Sequence, residues 1–337
     1  MTNLKNLISK LGKAKILVIG DLILDEYIYG SVDRISPEAP VPVLWAKKRQ
    51  FVPGGAANVA ANIHSLGGEA CLVGLIGADK NAEIFKADIN KIGLNTKGVF
   101  VDSGRHTTVK TRIIAGHQQV VRVDWEHTEP LSKAVNQKIL KFVKNNINSF
   151  NAVIIEDYGK GVINCGLVEE IINLARAKNK IITVDPKEEH FDCYCGVTSI
   201  TPNRKELENA VRYLKIKDDK NKFRINTDKL FTDKEIDCAA EEIMEYLDLG
   251  SVLVTLGENG MKLFERGAKA VHIPTVAQEV FDVSGAGDTV IACFTMALSV
   301  GAKKEEAARL ANLAGGIVVG KLGTANTTQK ELLERLR

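Results

Sequence analysis

The chain has no C-x-x-C pair, no G-x-x-x-x-G-K-[ST] loop and no G-x-G-x-x-G turn after its first apolar run. No apolar run approaches the ~20 residues that a membrane span needs. Each absence removes a class. Without C-x-x-C, the six cysteines (Cys71, Cys165, Cys193, Cys195, Cys238, Cys293) make no zinc knuckle. They read as reduced thiols of a cytoplasmic protein, with no disulfide expected. Without the phosphate loop the P-loop kinases are excluded. After VIGD the chain runs LILDEYIYG, which argues against a dinucleotide-binding oxidoreductase. Neither charge sign dominates: 45 Lys and Arg stand against 42 Asp and Glu, interleaved along 337 residues, so no nucleic-acid partner is expected. The first twenty residues lack an apolar stretch followed by a small-residue cleavage site, and neither a leader nor membrane attachment is expected.

What is present is alternation. KILVIGD (15–21) reads as a buried strand and GGAANVAANIHSLG (54–67) as a helix of small residues. EACLVGLIG, AVIIEDY, KIITVDPK, TSITPN and SVLVTLGENG read as further strands or strand ends. KNAEIFKADINKIG, GLVEEIINLARAKN, KELENAVRYL and SGAGDTVIACFTMALSVG read as helices between or after them. That order predicts an α/β fold: a mostly parallel central sheet covered on both faces, with ligands at the carboxyl ends of the strands. Two segments break the pattern. Residues 27–51 carry three prolines among alternating apolar positions, which suggests edge strands. Residues 105–125 read as a hairpin turning at Gly116 and His117. Together they form either a small β lid or an ordinary loop and hairpin lying on the domain. Residues 215–233, rich in Lys and Asp, read as a surface insertion.

The stretch DVSGAGD, Asp282 to Asp288, concentrates the chemistry. Small residues at Gly285, Ala286 and Gly287 let backbone N–H groups approach a ligand closely. The first turn of the helix that follows adds free amides and positive potential, an anion cradle suited to a phosphate. An aspartate at its edge has two readings. Asp288 is a general base that takes a proton from an attacking hydroxyl, or it caps the helix.

DVSGAGD resembles the C-terminal signature of the PfkB, or ribokinase-like, family of carbohydrate kinases. PGGAANVAANIHSLGG (53–68) resembles that family's glycine-pair motif, VIGDLILDEYIYG (18–30) its substrate-binding opening, and TPNRKELE (201–208) its N-x-x-E motif. The resemblance runs over essentially the whole chain and implies one ribokinase-like domain, a three-layer sandwich with a small lid. DRISPEAPVPV, DYGKG, VDPK and VVGKLGT are further similar to the branch acting on D-glycero-β-D-manno-heptose 7-phosphate at O1, in ADP-heptose supply for lipopolysaccharide. Relatives of that branch are often fused to a nucleotidyltransferase bearing H-x-G-H. The six histidines here form no such motif, and the expectation is a kinase acting alone. Kinases for ribose, adenosine or fructose phosphate are the alternatives within the family, and a decayed sugar-binding protein the alternative outside catalysis.

The resemblance implies the following roles. Asp288 is the base and the amides of Gly285, Ala286 and Gly287 the anion hole. Asp21, Asp25, Gly54, Gly55 and Asn58 hold the sugar; the plain alternative for Asn58 is a solvent-facing helix amide. Asn203 and Glu206 organise Mg2+ through water, or form a helix N-cap and capping box, or both. Asp282, Ser284, Val318, Gly323 and Thr327 surround a monovalent cation, K+. Thr255, Gly257, Glu258 and Gly260 form the turn beside ATP, with adenine near Val280 and Asn312. A sugar phosphate needs further cations. Lys160 and Lys187, each after a strand, are favoured over Arg34 of the lid and over Lys110, Arg112 and Arg122 of the hairpin, the last three reading at least as well as solvated charges. The family pattern also implies a homodimer through the lid strands.

Overall fold

The computed structural model describes residues 2–336 except 219–222, 226–228, 278 and 322. Part of the 215–233 insertion therefore lies outside the described residues. The elements follow in order: α1 (Thr2–Lys10), β1 (Lys15–Gly20), β2 (Leu22–Ile35), β3 (Pro42–Gly55), α2 (Ala56–Ser65), β4 (Glu69–Gly77), α3 (Lys80–Ile92) and β5 (Asn95–Asp102). Then come β6 (Thr108–Ala115), β7 (Gln118–Trp125), α4 (Lys133–Asn146), β8 (Ala152–Glu156), α5 (Cys165–Ala177), β9 (Ile181–Asp185), β10 (Ser199–Ile200) and α6 (Arg204–Lys217). The chain closes with α7 (Asp233–Tyr246), β11 (Ser251–Thr255), β12 (Met261–Glu265), β13 (Val271–Ile273), α8 (Ala286–Ser299), α9 (Lys304–Val318) and α10 (Gln329–Arg335).

Among the described residues the main sheet has nine strands in the order β13-β12-β11-β10-β9-β8-β1-β4-β5, parallel from β5 through β11 and antiparallel at β12 and β13. Its central strands are mostly apolar because both faces are covered, with carboxylates closing β8 and β9. In β1, Ile16 and Val18 enter the core under α2, α8 and α9, whereas Leu17 and Ile19 enter the core under α4, α5 and α6. β8 splits the same way, Ala152 and Ile154 against Val153 and Ile155. α8 is buried on all sides from Asp288 to Leu298, and its run of Thr, Ala and Cys lets α2 lie close against it.

The two segments that broke the alternation form a separate four-stranded sheet, β3-β2-β6-β7. β3, which carries Pro42 and Pro53, is an edge strand as proline requires. The hairpin turns at Gly116 and His117.

One expectation is corrected. Cys165 and Cys193 are paired as a disulfide, and Cys71, Cys195, Cys238 and Cys293 are free. The two cysteines are 28 residues apart, but the crossover through α5 returns β9 beside β8. The start of α5 and the turn following β9 therefore meet at one end of the sheet. Among the described residues, no helix is long and apolar enough to cross a membrane.

Candidate active site

Strand register sets the floor of the site. Gly20 pairs with Glu156, and Glu156 with Asp185, so β1, β8 and β9 end level with one another. Asp21 is the next residue after β1. The N-terminus of α8 points at the same edge and brings Asp288 over it.

Asp288 is the third residue of α8 and 4% exposed. Its Oδ2 accepts from Asn58 Nδ2 at 2.6 Å and its Oδ1 from the Tyr158 hydroxyl at 3.0 Å. The residue before the helix is Gly285, at φ 76°, which has no side chain to cap it, and among the described residues the side chains that donate to the carboxylate are those of Asn58 and Tyr158. Burial pushes Asp288 up to about 6, and the bonds from Asn58 and Tyr158 oppose that rise. The amide of Ala286 closes a turn on Val283 O at 3.2 Å. Among the described residues the amides of Gly285 and Gly287 have no backbone acceptor. Two of the three expected cradle amides are therefore open, and that of Ala286 is engaged.

Around Asp288 lies an acidic floor that the sequence reading left out. Glu156, Asp185 and Asp288 offer carboxylate oxygens within 4.8 Å of one another. Glu156 is 0% exposed, and among the described residues neither of its oxygens has a hydrogen-bond partner. It faces Asp185 acceptor to acceptor. Burial, then the charges of Asp185 and Asp288, hold Glu156 well above the usual carboxylate range. Burial and the charges of Glu206 and Asp288 raise Asp185 likewise, against a 2.9 Å bond from Thr201. Such a group lacks positive charge. Glu206 stands beside it in a formed capping box: Asn203 Oδ1 accepts from the Glu206 amide at 2.9 Å, and the Asn203 amide donates to Glu206 Oε2 at 2.8 Å.

The residues expected at the sugar divide. Asn58 is buried on Asp288 rather than facing solvent, and Asn62 supports it through Nδ2 donation to Asn58 O at 3.0 Å. Gly54 lies under Asp25: a Cβ there would sit 2.3 Å from Asp25 Oδ2. Asp25 in turn pairs with Arg112 at 2.5 Å. Gly55, at φ 56°, starts α2. Asp21 is occupied by backbone. Its carboxylate accepts from the amides of Tyr158 (2.9 Å), Lys160 (3.0 Å) and Val162 (3.1 Å) and so fastens the DYGKG loop. Burial, with Asp157 nearby, raises Asp21 to about 6.

Lys160 and Lys187 line one cavity of about 480 Å³ with Tyr158, Asn164, Glu189 and His190; Lys160 also pairs with Glu126 at 2.9 Å. The other cations are engaged elsewhere or exposed. Arg122 pairs with Asp124 at 2.9 Å, Lys110 approaches Asp124 at 3.7 Å, and Arg34 is exposed.

Thr255 bridges Asn203 across the strand ends, and Gly257 to Gly260 turn away beside it. The Asn312 side chain is committed to Pro274 O at 2.8 Å, whereas Val280 is exposed. The loop carrying Asp282 and Ser284 lies on the end of α9: the amides of Phe281 and Asp282 both donate to Val319 O, next to Val318. Gly323 is followed by Thr324, which packs at Gly285. Thr327 turns elsewhere, its carbonyl accepting from Ser65 at 2.7 Å. Glu156 and Asp185 carried the same signal as Asp21, a carboxylate closing an apolar strand.

A nine-stranded, mostly parallel sheet, a second sheet and a carboxylate at a glycine-flanked helix start define a ribokinase-like fold. Arabidopsis thaliana ribokinase, solved with ribose and ATP, superposes with a TM-score of 0.73 at 20% identity, covering 96% of this chain and 99% of that one. Escherichia coli phosphofructokinase-2, solved with potassium, gives 0.73 at 18% identity, covering 95% and 97%. The chain belongs to the pfkB family of carbohydrate kinases, whose model matches residues 13–331. It is therefore a phosphotransferase with a hydroxyl acceptor. The bifunctional protein HldE of Desulfatibacillum aliphaticivorans is 40% identical over 330 residues, covering 98% of this chain and 64% of that protein. HldE of Helicobacter pylori is 42% identical over 318 residues, covering 94% and 65%. The chain thus spans just under two thirds of these relatives.

Proposed function

We propose that the protein transfers the γ-phosphate of ATP to O1 of D-glycero-β-D-manno-heptose 7-phosphate, giving heptose 1,7-bisphosphate for ADP-heptose synthesis. The observation that carries this reading is the buried Asp288 carboxylate beside the open amides of Gly285 and Gly287. Asp288 takes the proton of the anomeric hydroxyl, O1 bonds to the γ-phosphorus, and the bond from that phosphorus to ADP breaks. The two amides receive the charge on the transferring group.

Glu206, held by Asn203 through the capping box, suits Mg2+ together with Glu156 and Asp185, because among the described residues Glu156 is a buried carboxylate with no hydrogen-bond partner. When bound, the ion neutralises phosphate charge. K+ fits beside Asp282, Ser284, Val318 and Gly323. Thr255, Gly257, Glu258 and Gly260 border the nucleotide; Asn312 acts there by fixing the Pro274 loop. Asp25, Gly54 and Gly55 face the sugar, with Asn58 and Asp21 acting through Asp288 and the DYGKG loop.

The test is ADP formation across C5 to C7 sugars with and without a terminal phosphate. Heptose 7-phosphate is expected to have the highest kcat/KM; ribose, adenosine or fructose 6-phosphate leading would overturn the substrate. Lys160→Ala and Lys187→Ala are expected to raise KM for the sugar phosphate about tenfold and KM for ATP less than twofold. Equal effects on both substrates would remove these lysines from the 7-phosphate. Because Asp288 must be ionised and burial raises it to about 6, kcat is expected to fall about tenfold per unit below that pH. A kcat flat from pH 7 to 5 would contradict the base.

We read the chain as one domain, with residues 27–51 and 105–125 as a lid. Trp45 (71% exposed), Ile35 and Trp125 leave that sheet with apolar surface, which supports a homodimer through it. Sedimentation showing only monomer at micromolar concentration would exclude the dimer.

A further inference from the structure

We infer that Tyr158 is a positioning residue for phosphoryl transfer, its hydroxyl fixing the orientation of the Asp288 carboxylate; this rests on the reading of Asp288 as base. The hydroxyl donates to Asp288 Oδ1 at 3.0 Å, while Asn58 donates to Oδ2 at 2.6 Å. One donor on each oxygen fixes the carboxylate's plane and leaves each oxygen a further lone pair to meet a substrate proton.

The donor is itself held on two sides. The Tyr158 amide is bound to Asp21 Oδ2 at 2.9 Å, and so is the amide of Lys160 at 3.0 Å. The residue before it, Asp157, accepts at one oxygen from the Tyr194 hydroxyl at 2.7 Å and lies 2.6 Å from His190 Nδ1. The tyrosine is therefore anchored to the end of β1 and to the turn after β9, and it also lines the cavity of about 480 Å³ that Lys160 and Lys187 line. Asp288 is faced by Glu156 of β8, Asp185 of β9 and Asp25 of β2. Against those three carboxylates, Tyr158 and Asn58 are the side-chain donors bonded to it among the described residues, beside its own amide.

The test is Tyr158→Phe, which keeps the ring and removes only the donor, measured alone and in an Asp288→Asn background. Alone it is expected to lower kcat about 30-fold, the scale of one hydrogen bond to a charged group. KM for ATP and for the sugar phosphate should stay within about threefold and Tm within about 2 °C. In the Asp288→Asn background, single-turnover rates should show no further loss, because the hydroxyl acts through the carboxylate. An unchanged kcat in Tyr158→Phe overturns the inference. So does the same 30-fold loss persisting without the carboxylate, which would make Tyr158 act on the substrate itself. Should Asp288→Asn alone keep wild-type kcat, the base reading fails, and this inference with it.

Discussion

Asp288→Asn is expected to lower kcat by about three to four orders of magnitude, near the upper end of what loss of a general base costs. The replacement has the same shape, so KM for both substrates should change by less than about threefold. It also removes a carboxylate that the fold holds at a disadvantage. The folded pKa, about 6, lies above the ordinary 3.8. The ionised form therefore destabilises the fold at every pH above about 6, and that cost fades as pH falls toward 3.8. At pH 7.5 the Asn variant should melt no lower than the wild type while being almost inactive, the expected pattern where a site is strained for function. A variant with near wild-type kcat, or one that melts many degrees lower, would contradict this account of Asp288.

Gly285→Ala should have the next largest effect. Gly285 sits at φ 76°, which costs an L-residue about 1–2 kcal/mol. The added Cβ would lie 2.8 Å from Asn58 Nδ2 and 3.0 Å from Thr324 Cγ2. The first contact matters more, because that amide is the donor on Asp288 Oδ2. To make room, Asn58 must leave the carboxylate or the helix start must shift away from it. Either movement misplaces the base relative to the amides of Gly285 and Gly287, and a misplacement of about 1 Å can cost 100-fold. We expect kcat lowered about 100-fold, with stability lowered by about 1–2 kcal/mol. Steady-state kinetics and a denaturation curve on the same preparation check both; a kcat within twofold of wild type would show that the Asn58 contact does not set the geometry.

Much of the architecture was legible because its signals are local. β1, β4, β8 and β9 are apolar runs whose two faces feed two cores, and α2, α5 and α8 announce themselves by small or periodic residues. The edge position of β3 followed from its prolines. The place of Asp288 at the start of a helix was legible from the glycines before it. Its partners were not, because Asn58 and Tyr158 lie 230 and 130 residues away and meet it only through the packing of α2 and the loop after β8. The same limit hid three other facts: Asp21 is consumed by two amides of the DYGKG loop and that of Val162 after it, Asn312 is spent on Pro274, and Cys165 meets Cys193. Glu156 was within reach of sequence reasoning, since it closes a strand as Asp21 and Asp185 do. Only burial without a partner marks it out, and that is a property of the folded chain.

The most direct measurement is a crystal structure with heptose 7-phosphate and a non-hydrolysable ATP analogue. The account predicts the sugar O1 within hydrogen-bonding distance of an Asp288 oxygen and the terminal phosphate on the amides of Gly285 and Gly287. A carboxylate turned away from every sugar oxygen, or a terminal phosphate bound elsewhere, would contradict it.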